Sequence, residues 1–184
     1  MNKLPVFKTE GIILKTADLG ELDRLLVIYT KGYGKILVRA ISVRKKESKL
    51  KGLIQNFTRA NFLLAKSKTI NIVTDVELID SFNFLHGSLR SLAYAFYFSE
   101  LIDKLIVGPE NDPNVWRLVS RVFEVLNKPG SDLSKIKEAF ERKLLEFLGY
   151  SDLRVAKARI DFIQSLADGE IKSLKFLKQL KLEN

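Results

Sequence analysis

The sequence predicts an α+β protein in two parts: a five-stranded β-barrel over residues 1–80, then an all-α helical bundle over residues 81–184. Three observations carry this. Up to about residue 80, short runs rich in β-branched side chains alternate with glycine-punctuated turns. From Ser88 the apolar period lengthens from two to three and four. Gly87-Ser88 is the only plausible seam between the two patterns.

The first strand starts over residues 7–16, Phe-Lys-Thr-Glu-Gly-Ile-Ile-Leu-Lys-Thr. Leu19-Gly20-Glu21 supplies a turn in which Gly20 can take positive φ. Arg24 to Thr30 is the second strand, and Lys31-Gly32-Tyr33-Gly34 a hairpin loop. A third strand runs from Lys35 to Val43, with Ile36, Val38 and Ala40 on one face and Lys35, Leu37, Arg39 and Ile41 on the other. The segment 44–51 lacks apolar periodicity and is expected to be a mobile loop or short extension. Strands resume at Phe57–Lys66 and Thr69–Leu78; in the last, Ile70, Ile72, Val76 and Leu78 are expected on one face, broken by Thr74. Five strands with a longer third connection fit an OB-type barrel, with an SH3-like barrel as the nearest alternative.

The helices begin with Leu89, Leu92, Ala93, Phe96, Leu101, Ile102 and Leu105, an amphipathic series ending near Gly108-Pro109. Tyr94, Phe96, Tyr97 and Phe98 wrap more than one face of it, which suits a central helix better than a ligand box. Asp112-Pro113 reads as an N-cap with proline at the first helical position, opening a helix to Leu126 with Val115, Val119, Val122, Phe123 and Leu126 inward. A third helix starts near Ser131–Ser134, carries Ile136, Phe140, Leu144, Phe147 and Leu148, and closes at Gly149. A weaker helix spans about Leu153 to Leu166, Asp168-Gly169 breaks it, and a turn or two follows from Ile171 to Leu182.

Composition narrows the chemistry. The chain has no cysteine, so thiol catalysis and cysteine-ligated zinc are excluded. One histidine, His86 at the junction, nearly excludes hydrolytic triads and histidine-rich metal sites; no acidic cluster suggests a carboxylate metal site. No enzyme, no cofactor and no stoichiometric zinc are expected. Gly32-Tyr33-Gly34 lacks the further glycine and Lys-Ser/Thr pair of a phosphate loop. No apolar run approaches a membrane span, and no signal peptide is evident, so a cytoplasmic location is expected.

Charge is uneven. Net charge is +9, and residues 31–68 hold eleven Lys/Arg against Glu47 alone. Concentrated like charge repels itself in the folded state, so a polyanionic partner, nucleic acid, explains it better than a merely solvated surface. Barrels of this kind hold single strands by joining a basic groove to aromatic platforms. Tyr29, Tyr33, Phe57 and Phe62 are the available rings; Phe57 and Phe62 are expected in the core, while Tyr33, between two glycines, has equal claim to the surface.

Several segments resemble the RecO family of recombination mediators, in order and at that family's spacing. Glu10-Gly11-Ile12-Ile13-Leu14 with Asp18-Leu19-Gly20-Glu21-Leu22-Asp23-Arg24-Leu25-Leu26 resembles its opening strands and Gly-Glu turn. Gly34-Lys35-Ile36 through Arg44-Lys45-Lys46 and Ser48-Lys49-Leu50-Lys51-Gly52 is similar to its basic third strand and loop, and Gln55-Asn56-Phe57-Thr58 to its Gln-Pro-Phe. Residues 139–150, ending Phe147-Leu148-Gly149-Tyr150, resemble its signature helix, and residues 172–177 its C-terminal segment. The chain departs from the pattern after Tyr150, where many members carry a cysteine zinc module and this sequence has no cysteine.

The resemblance implies binding of single- and double-stranded DNA, strand annealing, engagement of the single-stranded-DNA-binding protein, and loading of RecA together with RecR. Arg24, Lys35, Arg39, Arg44, Lys45, Lys46, Lys49 and Lys51 are the expected DNA contacts. Arg117, Arg121, Lys135, Arg142 and Lys143 are the expected contacts for the acidic tail of the single-stranded-DNA-binding protein, rimming an apolar pocket between the second and third helices. An RNA-binding barrel protein without catalytic activity is the alternative.

Overall fold

In the computed structural model, which describes residues 5–150 and 156–180, β1 (Val6–Leu19) is long enough to serve two neighbours. Residues 6–12 pair with β4 (Arg59–Ala65) and residues 11–19 with β2 (Asp23–Thr30), both antiparallel, with a register shift between Ile13 and Lys15 where the strand bends from one partner to the other. β2 continues into β3 (Gly34–Ala40), and β5 (Asn71–Asp80) closes the circle in the order β1-β2-β3-β5-β4. The β3–β5 contact is parallel and the others antiparallel. This is an OB-type closed barrel. Its interior is filled by Ile13, Leu26, Ile28, Val38, Phe62 and Leu64, with Val73 and Val76 from β5. Gly11 lies where a Cβ would meet the Ile28 side chain at 2.6 Å, which is how β1 approaches β2 so closely.

Two expectations for the barrel need correcting. The single apolar face expected on β5 does not form: Val73 and Val76 are buried, three apart, while Leu78 is 45% exposed. A register shift opposite Leu63 and Leu64 sets Thr74 outside the ladder, where its hydroxyl donates to the Leu63 carbonyl, and the bulge turns the strand over. The segment 44–51 is not a loose loop either. Hydrogen bonds from Lys45, Ser48, Lys51 and Leu53 amides to carbonyls three residues earlier fold it into consecutive turns. Val43 and Ile54 are buried at its two ends, and Leu50 and Leu53 pack on the barrel core. Burying an aliphatic side chain contributes roughly 1.5–3 kcal/mol; these anchors are spaced irregularly, so periodicity does not display them. The third strand is also shorter than expected, because the chain turns after Ala40.

The chain divides into two compact units, Met1–Ser81 with Gly108–Asn111, and Phe82–Val107 with Asp112–Asn184. The second is helical. A short α1 (Asn83–Gly87), containing His86 and absent from the sequence reading, precedes α2 (Leu89–Leu105), whose N-cap Ser88 accepts the Ser91 amide. α3 (Pro113–Leu126) starts as expected, with Asp112 accepting from the Asn114 and Val115 amides. α4 (Leu133–Phe147), α5 (Ala156–Leu166) and α6 (Lys172–Gln179) follow. The expected starts and ends at 153–155 and 181–182 lie outside the described residues.

The inward set of α3 is as expected, with Val115, Val119, Val122, Phe123 and Leu126 buried. On α2, Tyr94, Tyr97 and Phe98 are buried and Phe98 meets Phe140 at 4.6 Å, but Leu89 (61%) and Phe96 (41%) face outward. The buried rings wrap more than one face of the helix, as expected, without Phe96 among them.

Candidate nucleic-acid interface

At one end of the barrel, two acids organise three arginines. Asp23 opens β2; its Oδ2 accepts from Arg39 Nε at 2.8 Å and Nη2 at 2.5 Å, and its Oδ1 accepts from the Ser42 amide at 2.7 Å. The Ser42 amide, then the Arg39 hydrogen bonds, hold this carboxyl below the usual aspartate range. Asp18, at the end of β1, accepts from Arg24 Nε at 3.0 Å and pairs with Arg44 Nη2 at 3.4 Å. Those guanidiniums then reach backbone: Arg24 donates to the Ile54 carbonyl at 3.2 Å and Arg44 to the Gly20 carbonyl at 3.0 Å. Arg24 and Arg44 therefore tie the segment 41–54 to the strand ends, and Arg39 holds Asp23, which itself binds the Ser42 amide. Arginine suits this work because its planar fork bonds in several directions at once.

The lysines are placed differently. Lys45, Lys46, Lys49 and Lys51 are exposed, and among the described residues their side chains make no hydrogen bond or ion pair. They project from the consecutive turns that Val43, Ile54 and the arginine pairs hold in place. The structure thus brings seven of the eight expected contacts to one barrel end. It separates the eighth, Lys35, which stands at the other end of β3 opposite Tyr29 and is half-buried. Leu37, on the outer face of β3 beside Arg39, and Ile41, just past its end, are 45% and 47% exposed, in keeping with the face on which the alternation along this strand sets them.

Of the four available rings, Phe57 and Phe62 are buried in the core as expected, Tyr29 is buried as well, and Tyr33 is 41% exposed. Phe57 holds φ near 65°, and its amide donates to the Ile13 carbonyl at 2.6 Å; burial of the ring and that bond keep a bulky residue in the left-handed region.

In the helical unit, the five expected tail contacts are all exposed, on α3 and α4. Four are bonded within their own helix turn or its cap: Arg117 to Asn114 at 2.6 Å, Arg121 to Glu124 at 3.5 Å, Lys135 to Asp132 at 3.2 Å and Lys143 to Glu146 at 2.9 Å. Arg142 has no such partner among the described residues. Beneath the surface is a cluster the sequence did not reveal. Glu141 accepts from Lys137 at 2.8 Å, from the Tyr97 hydroxyl at 2.6 Å and from Arg159 at 3.0 Å, and all three charged side chains are 5% exposed or less. Lys137 and Glu141 are four apart, the spacing of an ordinary surface pair, so their burial could not be read from the pattern.

A closed OB-type barrel with an ordered basic segment, followed by a helical unit, defines the class of protein. Within that class, the N-terminal model of recombination protein O matches residues 1–82 and the C-terminal model residues 86–152. DNA repair protein RecO of Pelotomaculum thermopropionicum is 35% identical over 149 residues, 80% of this chain and 57% of the relative. That of Clostridium acetobutylicum is 34% identical over 149 residues, covering 80% and 60%. The chain belongs to the RecO family, and it spans about three fifths of the length of these relatives.

Proposed function

We propose that this chain is a recombination mediator in DNA repair, acting by binding rather than catalysis. On this reading it holds single- and double-stranded DNA, promotes annealing of complementary strands, and with RecR helps load RecA onto DNA coated with single-stranded-DNA-binding protein. The observation that carries it is the ordered row of Lys45, Lys46, Lys49 and Lys51, exposed on a segment fixed by buried apolar anchors and arginine pairs. A fixed row of exposed cations pre-pays the ordering that a mobile lysine tail would lose on binding phosphates. The arginines give the lysines their place, and Arg39 adds a half-exposed charge beside Leu37.

Each phosphate contact adds about 0.7–0.9 to the magnitude of the slope of log affinity against log salt. Replacing Lys45, Lys46 and Lys49 by alanine together flattens that slope by about 2. A slope unchanged in the triple variant overturns the assignment, and preference for RNA over DNA in direct competition turns the reading to an RNA-binding barrel. For the partner tail, the exposed cations of α3 and α4 offer charge complementarity to an acidic peptide. Arg121→Glu with Arg142→Glu abolishes tail-peptide binding and spares naked DNA if the helical unit takes the tail. A double variant that binds the peptide normally, or loses DNA equally, sinks that division.

A further inference from the structure

We propose that Tyr33 is a base-stacking platform for single-stranded DNA, at the barrel end opposite the exposed lysines, with Lys66 and Lys68 as its phosphate contacts. The inference rests on the barrel being a DNA-binding element and extends it to residues with no part in the first site.

The ring is exposed where its neighbours are not. Tyr29, Phe57 and Phe62 are each at most 1% exposed, whereas Tyr33 is 41% exposed. It is also held. The ring packs edge-to-face with Phe7 at 4.7 Å between centroids, and its amide donates to Thr30 Oγ1 at 3.0 Å. That hydroxyl, fully buried, donates in turn to the Gly34 carbonyl at 2.9 Å. Gly34 has φ near 60°, and the Glu110 backbone lies so close that a Cβ there would overlap its carbonyl. The turn is therefore fixed on both sides of Tyr33. A fixed, exposed ring gives up little conformational freedom when a base stacks on it, which favours binding.

The charge around it is suited to phosphate. The parallel register Val38↔Asn71 and the pairing Val6↔Ala65 put the β4–β5 loop, residues 66–70, at the same barrel end as the 31–33 turn. Lys66 lies 5.9 Å from the Phe7 ring centroid, and its amide donates to the Pro5 carbonyl at 2.8 Å, so the loop is anchored beside the aromatic pair. Lys66 and Lys68 are exposed, and the turn and the loop contain no acid. Glu10, the nearest acid of β1, is taken by Lys31 at 3.7 Å and Arg59 at 2.6 Å, while Glu110 lies with its backbone against Gly34.

The geometry selects a single strand. A duplex keeps its bases stacked inside and offers a protruding ring nothing to cover, while an unpaired base has a free face. At about 3.3 Å per residue, β3 separates the platform from the lysine segment by roughly 20 Å, a span for a strand of several nucleotides.

The test measures binding of a fluorescent oligothymidine and of a blunt duplex by the full chain, with Tyr33→Leu, which keeps an apolar side chain on Phe7 but removes the planar ring, and Tyr33→Trp, which restores one. Tyr33→Leu is expected to weaken single-strand binding about 5-fold or more, leave its salt slope unchanged, and leave duplex affinity unchanged; Tyr33→Trp recovers the loss. Equal binding by Tyr33→Leu and the parent, or equal weakening on both DNAs, overturns the platform. Failure of the underlying reading looks different: the parent chain then binds neither DNA with a salt-dependent affinity, whatever stands at position 33.

Discussion

The barrel and the helical unit use charge in opposite ways. In the barrel, acids and arginines pair at strand ends, with the guanidiniums partly exposed, and leave a row of lysines directed to solvent. In the helical unit, Glu141 draws Lys137 and Arg159 into the interior and satisfies both through one carboxylate with Tyr97 as a further donor. The first arrangement holds backbone in place at modest energetic stake, because exposed pairs contribute about 0–1 kcal/mol each. The second carries a large stake, since Lys137 and Arg159 are both buried and share the Glu141 carboxylate. Charge presented to a partner is cheap to remove; charge enclosed in a core is not.

The sharpest break of this contrast is Glu141→Ala. It removes the carboxylate that the buried Lys137 and Arg159 share and is expected to cost about 3–5 kcal/mol, read as a lowered urea midpoint of the helical circular-dichroism signal. A cost below about 1 kcal/mol would mean the pair escapes to water. Replacing Lys137, Glu141 and Arg159 together by methionine, leucine and methionine should recover much of the loss, because an apolar set needs no partner.

Within the barrel, glycines separate strain from collision. Gly20 and Gly34 both sit near φ 60°, but a Cβ at Gly20 meets nothing within 4 Å, whereas at Gly34 it overlaps the Glu110 carbonyl. Gly20→Ala is expected to cost about 1–2 kcal/mol from the left-handed backbone alone. Gly34→Ala should exceed it measurably in parallel denaturant titrations, and equal costs would show that the 108–111 segment yields.

A smaller effect tests a charge between these extremes. Glu100, on α2, accepts the Lys172 amide at 3.0 Å and the Ser173 amide at 2.8 Å, so it caps α6 from another helix. Partial burial pushes its carboxyl up, but the Ser173 hydroxyl and the Ser173 and Lys172 amides together outweigh this and hold it below the ordinary glutamate value. The unfolded chain therefore takes up the proton first as pH falls. The cap's contribution is full above the ordinary glutamate value and fades as pH drops through it towards the lowered one. Glu100→Gln is expected to cost about 1 kcal/mol at neutral pH, and the gap to the parent should close in acid; a gap independent of pH would assign the cap to shape alone.

The smallest effect on stability belongs to the lysines. The triple alanine replacement of Lys45, Lys46 and Lys49 should leave the unfolding midpoint within about 0.5 kcal/mol of the parent while it flattens the salt slope of DNA binding. A large loss of stability would place these side chains in the fold rather than on its surface.

What the sequence disclosed follows the same physical division. Local signals were legible: Asp112-Pro113 opens α3, Gly20 turns β1 into β2, and the period change at Ser88 marks α2. Features set by distant partners were not. The face of β5 depends on a bulge at Thr74 that answers to Leu63, and the order of 44–51 depends on carbonyls at Gly20 and Leu22 and carboxylates at Asp18 and Asp23. The basic run was plain in composition, but which cations brace and which present themselves is decided by which acids fold back to meet them. Tyr33 was an even choice in sequence because glycines on either side permit both fates.

The segment Gly108–Asn111 also bears on how the molecule is made. It belongs to the barrel, yet the chain delivers it after α2, which belongs to the other unit. At a synthesis rate of about 5–20 residues per second, the nascent barrel waits roughly 1.5–6 s for this last piece after Ser81 has been added. For that interval Gly34 has no Glu110 backbone against it, and the hairpin that carries Tyr33 emerges from the ribosome long before its support does. Completion of the first unit is thus timed by the helix inserted before its final four residues.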